Sequence, residues 1–155
     1  MNGEQHGVGM IETLTALLVI SIGLLGLARL QQQSLQTLYF SRQTQTASQL
    51  LQVMARGARA NPAALLEGAY GATGGASCVG AASDCAPTAM ARADYQRWVD
   101  WAEQQLPSGR VSLDCIGGCR PGGRLWLRVS WLSETASQVE CLEADHYCLE
   151  WRLDL

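Results

Sequence analysis

The sequence predicts an α+β fold in which the helices come first and an antiparallel sheet follows. Three observations carry this prediction. From Val8 to Ala60 the chain contains no proline, and its apolar residues are either continuous or spaced by three and four. Tyr95, Trp98, Trp101 and Ala102 repeat at helical spacing in a second segment. After Gly109 the apolar residues alternate instead, with the period of a half-buried strand. Helices followed by strands, rather than alternating with them, define the α+β class.

The first half of the long helix reads VGMIETLTALLVISIGLLGLARL, from Val8 to Leu30, with Glu12 and Arg29 as its only charges. About 20 apolar residues are what a helix needs to cross a bilayer core. The run is apolar on every side, which argues against the one-sided helix of a soluble core. A conventional secretory leader would have a basic start and a small-residue cleavage site. The residues MNGEQHG carry no Lys or Arg, and LQQQSLQTLYF after Arg29 offers no A-x-A site. The span is therefore expected to be retained. Gly23 and Gly26 weaken it by about 1 kcal/mol each relative to Ala, and they also permit close helix packing.

Beyond the span, Leu35, Leu38, Ala47, Leu50, Leu51, Met54 and Ala58 mark an apolar stripe. The polar stretch from Ser41 to Ser48 interrupts it. One helix is predicted from about Val8 to about Ala60, ended by Asn61-Pro62. Residues 62–70 suggest a helical turn. The segment GATGGASCVGAASDCAPT reads as loop. Thr88 or a neighbour is expected to cap the second helix, which runs to about Leu106 before Pro107-Ser108-Gly109. Its aromatic stripe is expected to pack on the sheet. Strands are predicted around Val111 and Leu113, from Leu125 to Trp131, and from Leu149 to Leu155 with Leu149, Trp151, Leu153 and Leu155 on the buried face. A weaker strand is predicted over Gln138–Leu142.

Composition limits the function. The 155 residues are enough for one domain. A hydrophobic content of 48% with 16% charged residues is too apolar for a disordered chain. The net charge is −3, and the eleven basic residues are all Arg and scattered, so no nucleic-acid partner is expected. Six cysteines in so short a chain indicate disulfides and an oxidising compartment. Three local pairs are expected, Cys78–Cys85, Cys115–Cys119 and Cys141–Cys148, because each spans a Gly-rich or turn-rich stretch. Each closes a short loop and contributes roughly 2–3 kcal/mol. Cys148 alternates away from the Leu149/Trp151 face, so its sulfur is expected outside the main core.

A competing metal reading uses the Cys115–Cys119 spacing together with His146. It lacks a clear four-ligand set, and no metal or other cofactor is expected. There is no C-x-x-C, G-x-S-x-G or phosphate loop, so no enzyme activity and no catalytic residue are expected. His146 is expected in an exposed turn, with Glu143, Asp145 and Glu150 on a solvated acidic face.

Glu12 is the most informative residue. A carboxylate within an apolar span is costly and points to a function. The stretch Gly7-Val8-Gly9-Met10-Ile11-Glu12 resembles the processing site of class III signal peptides of type IV pilins. In that family a short leader ends in Gly, an apolar residue follows, and Glu is fifth in the mature chain. The resemblance implies cleavage after Gly7, N-methylation of Val8 and a register role for Glu12. Cleavage after Gly9 would instead make uncharged Leu14 the fifth residue. The chain departs from the family in having Val rather than Phe at the first mature position and no basic leader residues. It also has no helix-breaking proline in the long helix.

The stretch Ile20-Ser21-Ile22-Gly23-Leu24-Leu25-Gly26-Leu27, the Trp-rich second helix ending in Leu106-Pro107, and the late cysteines resemble minor pilins of the PilV type. The resemblance implies a pilin-like fold, with the long helix packed on the sheet. It implies a leader over residues 1–7, a transmembrane and filament-core segment over 8–30, and a periplasmic head over 31–155. The subunit would sit in the inner membrane by a single pass and then enter the pilus at or near its tip, priming assembly. Implied partners are other minor pilins, the major pilin, prepilin peptidase, the inner-membrane assembly machinery and a tip adhesin. A minor pseudopilin of a type II secretion system shares the same N-terminal logic and stands as the alternative. A membrane-anchored periplasmic domain that binds a ligand or performs chemistry is a third reading, and it would not require processing at Gly7.

Overall fold

The proline-free N-terminal stretch forms a single helix, α1 (His6–Ala60), in a computed structural model that describes residues 6–71, 78, 85–132 and 146–155. It is followed by α2 (Pro62–Leu66), α3 (Pro87–Gln105), β1 (Arg110–Ile116), β2 (Arg124–Leu132) and β3 (His146–Asp154). The class is α+β, as the order of periodicities predicts. The predicted strand over Gln138–Leu142 lies outside the described residues. The chain divides into two compact units, Met1–Ser41 and Arg42–Leu155.

The second unit holds the core. β1 and β2 are antiparallel from Arg110↔Ser130 to Ile116↔Arg124, and β2 and β3 from Arg124↔Asp154 to Leu132↔His146. The sheet order is β1-β2-β3, so β2 is central. Its alternate residues Leu125, Leu127, Val129 and Trp131 are fully buried. They share a core with Ala47, Leu50, Leu51, Met54, Ala55 and Ala58, the apolar stripe of the C-terminal part of α1. The stripe begins to bury only at Ala47, whereas Leu35 and Leu38, at the same spacing, are exposed in the first unit.

Polar hooks fix the pieces of this unit. Asn61 caps α2 by accepting from the Ala64 N–H at 3.3 Å, and its Nδ2 donates to the Pro87 carbonyl at 2.7 Å. Asn61-Pro62 thus both ends α1 and anchors the start of α3. The N-cap of α3 is Ala86, with no side-chain cap, rather than Thr88. Pro87 at the first position is pre-set for the helix and needs no donor there. Tyr95 donates to the Val111 carbonyl at 3.2 Å, joining α3 to β1. Trp98 and Ala102 are buried, so the aromatic stripe of α3 serves packing.

Further details differ from expectation. His146 is not in a turn. It is the first residue of β3, opposite Leu132, with both ring nitrogens buried. Glu150 does not belong to a solvated acidic face, because it pairs with Arg128 across the sheet. Glu143 and Asp145 lie outside the described residues. On the core side of β3, Tyr147, Leu149 and Leu153 pack on the core, while Trp151 remains 42% exposed; among the described strands β3 is the last in the sheet order.

Candidate processing and assembly site

The candidate site occupies the first unit. Gly7 and Val8 fall in the first turn of α1. Positions 8 and 12 are four residues apart, which places them on one face of the helix. Glu12 is exposed, and among the described residues it has no ion-pair partner. A cationic amine at Val8 would therefore find a carboxylate one turn away, on the same helix or on a neighbouring one.

The remaining polar side chains of the span are satisfied within the helix. The Thr13 hydroxyl donates to the carbonyls of Gly9 and Met10 at 3.1 and 2.9 Å. Thr15 donates to Glu12 at 2.9 Å, and Ser21 donates to Leu17 at 2.7 Å. Back-bonding of this kind lets a hydroxyl sit in an apolar environment without an unmet donor. The helix is long and apolar enough to cross a membrane, and none of its apolar window is buried. A Cβ at Gly9, Gly23 or Gly26 would meet nothing within 4 Å. The surface is therefore free for lipid or for other helices.

The cysteines occupy the second unit. Cys78 is joined to Cys85, with Cα atoms 6.0 Å apart, and Cys115 to Cys119, with Cα atoms 5.1 Å apart. The second bond closes the turn after β1, where Gly117 and Gly118 adopt φ of 79° and 89°. Cys148 is disulfide-bonded and buried, and it lies apart from the main core cluster. Cys141 lies outside the described residues.

Sequence reasoning did not single out Gln43, Arg59 or Tyr70. Gln43 accepts from the Trp131 indole at 3.2 Å, Tyr70 stacks on Trp98 with centroids 5.4 Å apart, and Arg59 borders an apolar cleft. Only the solitary Gly57 in the second half of α1 signalled a close approach, and Trp98 makes it.

A long apolar N-terminal helix whose C-terminal part packs on a three-stranded antiparallel sheet is a pilin-like architecture. Comparison of the chain with protein-family models, curated proteins and solved structures finds no match.

Proposed function

We propose that the chain is a minor pilin subunit of a type IV pilus, priming filament assembly and sitting at or near the tip. The observation that carries this reading is Gly7-Val8 followed by Glu12, at the head of an apolar helix that continues into a pilin-like head. In this reading, prepilin peptidase cuts after Gly7 and the new amine of Val8 is methylated. Glu12 sets register against neighbouring subunits. The apolar span holds the subunit in the inner membrane with its head in the periplasm, where disulfides form, and the same span later packs inside the filament. Other minor pilins, the major pilin and the assembly machinery are its partners. The pseudopilin of a secretion system uses the same N-terminal chemistry, and the genes flanking this one separate the two.

The deciding experiment is N-terminal sequencing and intact mass of the membrane-bound protein. The expected product begins at Val8 and carries one added methyl group. An intact Met1, or a start elsewhere, overturns the proposal. The chain has no Lys, so amine-reactive labelling reports its N-terminus alone.

A further inference from the structure

We draw no further inference here: the strongest candidate, the exposed apolar face that Leu35, Leu38 and Tyr39 form on α1 in the first unit, is set apart from the apolar span by the polar residues 31–34, and nothing in the structure shows what covers it.

Discussion

Gly57 of α1 lies against the indole of Trp98: a Cβ at Gly57 would fall 2.6 Å from Cζ2 and 3.1 Å from Cη2 of that ring. Trp98 cannot easily retreat, because its ring is stacked on Tyr70 with an interplanar angle of 3°. The Tyr70 hydroxyl in turn donates to the Gly57 carbonyl at 3.0 Å, so the three residues form one closed contact. Helix propensity alone would make Gly57→Ala favourable by about 1 kcal/mol. Overpacking against a fixed indole costs roughly 1–3 kcal/mol and should prevail. The variant is expected to unfold at lower denaturant concentration than wild type, with altered near-ultraviolet circular dichroism. Gly23→Ala, where nothing lies within 4 Å, should show no such loss.

Trp131 and Gln43 provide a second test. The Trp131 side chain is fully buried, and its indole N–H donates to Gln43 Oε1 at 3.2 Å. Gln43→Leu would leave that donor unmet inside the core, at a cost of about 1–3 kcal/mol. Trp131→Phe would lose both ring area and the bond. A double-mutant cycle read by denaturant unfolding should show positive coupling between the two sites. Strict additivity would mean that the bond contributes nothing.

Alkaline pH should destabilise the second unit. Burial, followed by the nearby Asp94 carboxylate, pushes the Tyr70 phenol up to about 12, while a hydrogen bond with Asn61 works the other way. Tyr95 is also raised, by burial and then by Asp114. In the unfolded chain both would ionise near the ordinary value of about 10. Above that pH the unfolded state therefore binds fewer protons than the folded state, and stability falls as pH rises. The stabilisation from Tyr70 is complete below about pH 10 and is lost toward about pH 12, on the order of 2 kcal/mol. Tyrosinate absorbance should show late-titrating groups in the folded chain, and Tyr70→Phe should remove one of them.

The elements were legible where one period persisted. The alternation of β2, with Leu125, Leu127, Val129 and Trp131 inward, could be read from residue type because its inner face is fully covered. The stripe of α1 could be read from Leu50 to Ala58, but spacing alone did not show that Leu35 and Leu38 stay exposed, since the same period serves any contact face. Trp151 has the right phase and the wrong burial, because coverage of a strand face depends on what packs over it, which is a long-range property. The Asn61 hook to Pro87 and the cleft beside Arg59 join residues distant in sequence, and no local pattern encodes them. The candidate processing motif is the opposite case. It is contiguous, so residue identity carried it entirely, and the fold adds only that Gly7 and Val8 open a helix on which Glu12 is exposed.

The outer face of the sheet carries the remaining prediction. Arg128 and Glu150 face each other across β2 and β3, with Nη2 and Nε of the guanidinium 2.6 and 2.7 Å from Glu150 Oε1. Their side chains retain 21% and 28% exposure, so the pair is neither a free surface contact nor a fully desolvated one. A surface pair contributes about 0–1 kcal/mol, and breaking a buried pair costs more, so Glu150→Gln should cost about 1 kcal/mol. On the same face, Arg152 lies over the Trp126 ring at 4.3 Å from its centroid, an attraction worth about 0.5–1 kcal/mol at an exposed site. Salt distinguishes the ion pair from simple packing. Wild type should lose stability relative to Glu150→Gln as ionic strength rises from low values to about 1 M, where the screening length is about 3 Å. A gap between the two that does not change with salt would show that Glu150 acts through packing on β2 rather than through its charge.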